Sequence, residues 1–131
     1  MLFRSSISDL VIYAVSSLKD DSGIANLGKN VMGAVVALRK SDGSVAWSRQ
    51  LDSYTHSSPV AVYSEDGRCW ILQASYNGTL YCLDGATGQI VTTMTLEGKI
   101  EGSPAVYNNT LVIGTTGKGT CYIYGISLLD E

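Results

Sequence analysis

Charge is scarce in this chain of 131 residues. Only 16% of its side chains are charged, nine Lys and Arg against twelve Asp and Glu, for a net charge of −3. Nucleic acid is held by phosphate neutralisation, which needs a basic patch. Here the cations are dispersed except for Arg39-Lys40, so no nucleic-acid partner is expected. Cysteine is sparse too: Cys69, Cys82 and Cys121 are odd in number and show no CxxC spacing, which argues for neither a disulfide framework nor a zinc site. Each lies in an apolar run and reads as a small buried hydrophobe, so the compartment stays open. His56 is the only histidine, and with dispersed carboxylates no transition-metal site is expected. Long apolar runs are missing, and nothing approaches the ~20 residues of a membrane span. The opening MLFRSSISDLVIYAV is interrupted by Ser5, Ser6, Ser8 and Asp9 and has no A-x-A-like end, so it is not read as a signal peptide.

What the chain has is glycine and tyrosine, fourteen and eight residues, beside one phenylalanine. Helical periodicity is confined to a possible turn or two in SLKDDSGIANLGKNVM, residues 17–32, where Gly23 and Gly28 weaken it. Elsewhere short apolar or alternating runs end at turn residues. They predict strands at 10–16, 34–39, 44–50, 59–63, 69–75, 79–84, 89–95, 104–107, 110–116 and 120–127. Evenly spaced short strands indicate a sandwich, barrel or propeller.

Internal repetition selects among these. GAVVALRKSDGSVAW (33–47) lies under GTLYCLDGATGQIVT (78–92) at a shift of 45, with Gly33 on Gly78, Leu38 on Leu83 and Gly43 on Gly88. Ser58-Pro59 matches Ser103-Pro104 at the same shift, after which Gly78 matches Gly119 and Tyr81 matches Tyr122 at a shift of 41. The third copy is thus expected to have a shorter hairpin. A period near 45 with four strands per copy is that of a propeller blade. The local chemistry agrees. Asp84 and Thr87 suit a tight loop, Gly88 a positive φ, and Asn77-Gly78 a hairpin turn. Trp47 and Tyr81 offer large apolar area between sheets, and Pro59 and Pro104 are expected to start strands.

The pattern Ser-Pro, strand, then G-x-Φ-x-x-L-D-x-x-T-G and a tryptophan-bearing strand resembles the repeat of pyrroloquinoline-quinone-type, or quinoprotein-like, β-propellers. Ser58-Pro59, Gly78, Tyr81, Leu83, Asp84, Thr87 and Gly88 carry it in the middle copy, and Gly33, Ala37, Leu38, Asp42-Gly43 and Trp47 in the first. Ser103-Pro104 and Gly119 carry it in the third. Arg39 departs from the motif's Asp, Thr92 from its tryptophan, and Gly125 follows the third strand without a T-G turn. The resemblance implies an all-β fold of four-stranded antiparallel blades, about three in this chain, at roughly 1–52, 53–98 and 99–131. Quinone-dependent members pair a catalytic carboxylate with calcium ligands, and several carry a vicinal disulfide. No Cys-Cys pair exists here and no position matches those residues, so no cofactor and no enzyme activity are expected. Strands A to D read B-C-D, A-B-C-D and A-B-C, with residues 3–8 a poor first A strand. Three blades cannot close a ring, so the apolar ends are expected to be covered. A larger propeller would do this, and so would self-association, most simply as two copies in a six-blade ring.

Other constellations read as structure. GIANLGKN (23–30) nearly matches a P-loop, but Asn30 replaces the Mg²⁺-binding hydroxyl and no long helix follows. GTTGKGT (114–120) reads as a hairpin. His56 has Ser57, Ser58 and Asp52 nearby in sequence, but adjacency does not build a triad. Asn77-Gly78-Thr79 and Asn108-Asn109-Thr110 fit the N-glycosylation pattern at predicted turns. The B–C hairpins and D–A connections share one end of the propeller, where binding loops lie. That end gathers the 17–32 insertion with Lys29, Tyr54, His56, Tyr76, Asn77 and Lys118 as the candidate binding face. The expected function is a non-catalytic module for binding or scaffolding a protein partner. The alternative is part of a larger propeller enzyme or sensor whose active residues lie in other blades.

Overall fold

The structure, a computed structural model, describes residues 9–18, 24, 27, 28 and 30–129. Residues 3–8, Lys29 and most of the 17–32 insertion lie outside them. Ten strands follow in order: β1 (Leu10–Leu18), β2 (Val31–Arg39), β3 (Val45–Leu51), β4 (Val60–Tyr63), β5 (Cys69–Ala74), β6 (Thr79–Asp84), β7 (Ile90–Thr95), β8 (Ala105–Tyr107), β9 (Thr110–Thr115) and β10 (Tyr122–Ser127). They form three antiparallel sheets, ordered β1-β2-β3, β4-β5-β6-β7 and β8-β9-β10. These are blades 1, 2 and 3, with strands B-C-D, A-B-C-D and A-B-C. The predicted helix turn is not found at the insertion's ends, because Ser17-Leu18 extend β1 and Val31-Met32 extend β2.

The repeat is visible as repeated geometry. In the C–D turn of blade 2, Gly88 N donates to Asp84 O at 2.7 Å and Asp84 N to Gln89 O at 2.8 Å. Blade 1 makes the same pair, Gly43 N to Arg39 O and Arg39 N to Ser44 O, both 2.8 Å. Gly88 and Gly43 have φ of 74° and 75°, which a residue with a Cβ resists. Arg39 is therefore tolerated in place of Asp because the turn is held by backbone bonds. The carboxylate's part passes to Asp42, whose Oδ1 accepts from Ser44 N at 2.9 Å, as Asp84 Oδ1 accepts from Ala86 N at 2.8 Å. Pro59 and Pro104 immediately precede β4 and β8, where no ladder donor is needed.

The third copy has a different register from the one expected. Its A–B hairpin is shorter, since Asn108 and Asn109 (φ 47° and 63°) alone join Tyr107 to its partner Thr110. Residues 64–68 do so between Tyr63 and Cys69. The β9–β10 loop is longer, however, because Thr115 pairs with Tyr122 across residues 116–121. Tyr81 OH accepts the amide of Asp52 at 3.1 Å, and Tyr124 OH accepts that of Glu97 at 3.2 Å. Tyr124, not Tyr122, is thus the counterpart of Tyr81. Two length changes of opposite sign were hidden inside one apparent shift.

Alternating side chains make two seams between blades. Val35, Ala37, Trp47 and Leu51 of blade 1 meet Cys69, Ile71, Tyr81 and Leu83 of blade 2. Leu72, Ala74 and Leu80 of blade 2 meet Leu111 and Ile113 of blade 3, with Leu96 and Ile100 between them. The first seam has a peripheral lock: the Trp47 ring lies against Gly88, where a Cβ would strike it. Its Nε1 donates to Gly85 O at 2.9 Å, and Arg49 Nε donates to Gly88 O at 2.7 Å. The second seam has Thr92 where the first has Trp47, and Thr92 is exposed.

The two ends also differ. The outer face of blade 3 is open, with Tyr107 80% and Ile123 83% exposed. On blade 1, Ala34 and Val36 point away from blade 2 yet are 0% exposed, although Val11 nearby is exposed. Gly28 N reaches this side and donates to Gln50 Oε1 at 3.2 Å. The apolar ends are expected to be covered: the middle of blade 1's outer face is buried, whereas the outer face of blade 3 stands open.

Candidate functional site

The connections from D strands to A strands cross the B–C hairpins at one end of the blades and tie to them. Between β3 and β4, Asp52 is the anchor. Its carboxylate accepts from Ser75 Oγ at 2.9 Å, Asn77 Nδ2 at 2.7 Å and Thr79 Oγ1 at 3.1 Å. Three residues on, the buried Thr55 hydroxyl donates to Ala74 O at 2.7 Å and accepts from Gln73 Nε2 at 2.8 Å. Thr55 N and O both bond Ser16 Oγ, at 2.9 and 2.8 Å. Tyr76 N donates to Tyr54 O at 2.6 Å. One step further, Lys99 and Thr116 form a reciprocal bridge of 2.6 and 2.8 Å, which holds the connection between β7 and β8 against the β9–β10 hairpin.

Glycine makes this close crossing possible. A Cβ on Gly33 would run into the Ser53 carbonyl. On Gly78 (φ +103°) it would lie 2.7 Å from both Gly98 O and Leu96 O. Ser53 and Gly98 are themselves related by the shift of 45, so the same backbone crossing occurs twice.

The crossing sets four of the predicted face residues side by side. The His56 ring stands edge-on to Tyr76, with centroids 5.4 Å apart. Tyr54 is exposed beside them, and Asn77 is bound to Asp52. Lys118 is exposed on the β9–β10 hairpin, two residues beyond Thr116, and Lys29 lies outside the described residues. The prediction missed Lys99, whose Nζ sits 5.2 Å from the centre of the Tyr76 ring, within the range of a cation–π contact. Its signal was in the repeat, since Lys99 is Tyr54 shifted by 45.

Burial raises the Asp52 pKa, but hydrogen bonds from Asn77, Tyr81, Ser75 and Thr79 outweigh it and leave the group below its ordinary 3.8. Burial, with Asp52 adjacent, pushes Tyr81 up to about 12. A carboxyl whose folded pKa is depressed contributes stability above its unfolded pKa and loses it as pH falls through the folded value. Asp52→Asn is therefore expected to flatten the loss of stability below pH 3.8, while costing some stability at neutral pH. Urea midpoints of the two proteins measured from pH 7 to pH 2 check this.

Other candidate groups are used structurally. Ser57 Oγ donates to Gly102 O at 2.6 Å, and Ser58 N donates to Ser103 Oγ at 2.8 Å. Both bonds join the segments that lead into the A strands of blades 2 and 3. In the P-loop-like stretch, Gly28 N is committed to Gln50. Cys69 is buried and Cys82 half-buried, and burial raises both thiols above 9.0. Cys121 is exposed, against the expectation of a buried hydrophobe, because it lies in the loop ahead of β10. Among the described residues no group of three His, Cys, Asp or Glu is placed to hold a metal ion. Asp52 is spent on hairpin bonds and Asp84 on turn amides, so these carboxylates do not fit a quinone and its calcium. No helix among the described residues is long and apolar enough to cross a membrane.

The profile of the PQQ-type repeat family described as "Outer membrane protein assembly factor BamB" matches residues 31–127. The chain belongs to this family. The zebrafish (Danio rerio) beta-alanine-activating enzyme is 32% identical over 104 residues, covering 76% of this chain. The chain spans 8% of the length of the curated relatives it matches. The quinohemoprotein alcohol dehydrogenase of Comamonas testosteroni superposes with a TM-score of 0.62 at 18% identity, over 95% of this chain and 22% of that one. A europium-containing methanol dehydrogenase does so with a TM-score of 0.58 at 17% identity, over 73% of this chain and 19% of that one. At these identities the likeness is one of fold: this PQQ-type repeat chain is an all-β propeller segment.

Proposed function

We propose that this PQQ-type segment is a non-catalytic module that binds or scaffolds a protein partner through its D–A and B–C rim. The observation that carries the reading is the rim itself. Tyr54, His56, Tyr76 and Lys99 present aromatic and cationic groups on backbone already fixed by the Asp52 and Thr55 networks. Binding to such a surface orders little, and rigid aromatic side chains supply contact area at low entropic cost. The open face of blade 3 supports association through a blade end as well. The closed middle of blade 1's outer face weighs against two copies making a six-blade ring.

A photo-crosslinking amino acid at Tyr54 or Lys118, in the native protein inside cells, is expected to capture a discrete protein partner. The same group at Glu65, in the A–B hairpin at the opposite end, should not. Capture from position 65 alone, or from none, would overturn the proposal. A second reading is a structural part of a larger enzyme, favoured by the length of the relatives, which are named as enzymes. Under it, rim substitutions would change that protein's activity without the loss of any partner.

A further inference from the structure

Asn77-Gly78, at the tip of the β5–β6 hairpin, is the only Asn-Gly pair in the chain. The fold makes glycine obligatory at its second place, since a Cβ there would lie 2.7 Å from both Gly98 O and Leu96 O. The close crossing therefore sets an unhindered backbone nitrogen directly after an asparagine. Glycine has no Cβ in the way and a permissive backbone, so its nitrogen reaches the preceding Cγ more readily than that of any other residue.

The same asparagine fastens the rim. Asn77 is exposed, and its Nδ2 donates to Asp52 Oδ2 at 2.7 Å. Its Oδ1 accepts from Ser75 Oγ at 2.6 Å and from Thr79 N at 3.2 Å. Gly78 N is occupied as well, donating to Ser75 O at 3.1 Å. Burial works against ionisation of Asp52, but its donors outweigh that and hold the pKa below 3.8. The carboxylate is therefore charged at neutral pH. Exchange of the amide at 77 for a second carboxylate would replace a donor to Asp52 by a like charge across the same short gap. Asp52 anchors the connection that carries Tyr54 and His56, so the damage would fall on the rim.

We propose that Asn77 is a modification site, at which deamidation by water unfastens the rim connection. The Gly78 nitrogen, its proton lost to solvent, bonds to Asn77 Cγ. The Cγ–Nδ2 bond breaks, and Nδ2 leaves with a solvent proton as ammonia. Water then opens the cyclic imide at either carbonyl, giving aspartate or isoaspartate, and no oxidant or reductant is needed. The folded hairpin holds both reacting groups in other bonds, so the reaction runs through local opening of residues 75–79. Each conversion makes that opening harder to reverse, because repulsion from Asp52 then opposes closure. The rim thus carries a covalent clock that runs only while the hairpin is open. The inference rests on the rim's geometry and not on its binding a partner, so either reading can fail without the other.

The test uses the 131-residue protein, aged in mildly alkaline buffer and read by peptide mass at residue 77. Conversion is expected in the native protein, at least tenfold slower than in urea. It should be at least threefold faster in Asp52→Ala, which removes the clamp. Asn77→Asp tests the consequence through hydrogen exchange at Tyr76 N, whose 2.6 Å bond to Tyr54 O closes the crossing. Exchange there should be at least fivefold faster than in the wild type. Asn77→Ala loses the same donor without adding charge and should be accelerated less. High salt should shrink the difference between the two variants, since it screens exposed charges. No conversion in the native protein, native conversion as fast as in urea, or equal exchange in the two variants would overturn the proposal.

Discussion

Trp47→Ala is expected to destabilise the folded chain by about 3–5 kcal/mol, the range for truncating a buried aromatic side chain. The ring is 6% exposed and bridges blades that otherwise meet through smaller side chains. Its removal opens a cavity over Gly88, whose missing Cβ leaves nothing to collapse into the space. The Gly85 carbonyl, in a buried residue, also loses its donor. Trp47→Phe separates the two losses: it keeps most of the apolar contact and removes only the bond, for about 1–3 kcal/mol. Urea denaturation of the three proteins measures both. A Trp47→Ala midpoint equal to wild type would mean that the seam does not depend on the lock.

Gly78→Ala should be nearly as damaging, although it adds a single methyl group. The new Cβ would sit 2.7 Å from two backbone carbonyls of the crossing connection, Leu96 O and Gly98 O. Neither can give way without disturbing the Leu96 and Ile100 contacts that fill the second seam. Its φ of +103° adds conformational strain. Overpacking costs about 1–3 kcal/mol and the left-handed backbone about 1–2. Gly43→Ala is the control, since its φ is +75° but nothing lies within 4 Å of the new atom. It should show the backbone cost alone. Equal loss in the two variants, measured by thermal unfolding, would mean that the crossing is looser than the geometry indicates.

These residues also show what was legible in the sequence. Trp47, Gly78 and Gly88 stood out because a turn or a close approach admits few residue types, and such constraints recur at the period of the blade. All ten strands were legible for the same reason, since alternating apolar runs end at turn residues whose chemistry is specific. The third copy's register was less so. Tyr122 and Tyr124 lie two apart, share a face, and differ only in which one meets a backbone amide. Two opposite loop-length changes gave no local signal of their own.

Of the candidate rim, Tyr54, His56, Tyr76 and Asn77 followed from topology, because alternation in strand direction decides which loops share an end. Lys99 holds the place of Tyr54 one repeat on, but its approach to Tyr76 depends on a backbone bridge to Thr116 that composition does not show. Cys121 was misjudged because an apolar neighbourhood in sequence does not show which residue has already left the strand. The different cover of the two ends depends on contacts across the chain, such as Gly28 with Gln50, that no local pattern carries.

The unequal seams give the molecule a direction in which it comes apart. Blades 1 and 2 are bonded at their rim connections and again at the periphery. Blades 2 and 3 are bonded near the inner strands and the rim, with the periphery unfastened. It follows that blade 3 can swing outward like a page on its spine, with Ser57–Gly102 and Ser58–Ser103 as the binding, while the first two blades stay shut. Quasi-one-dimensional arrays lose structure unit by unit where an interface is weakest. By that rule blade 3 is the unit expected to loosen first.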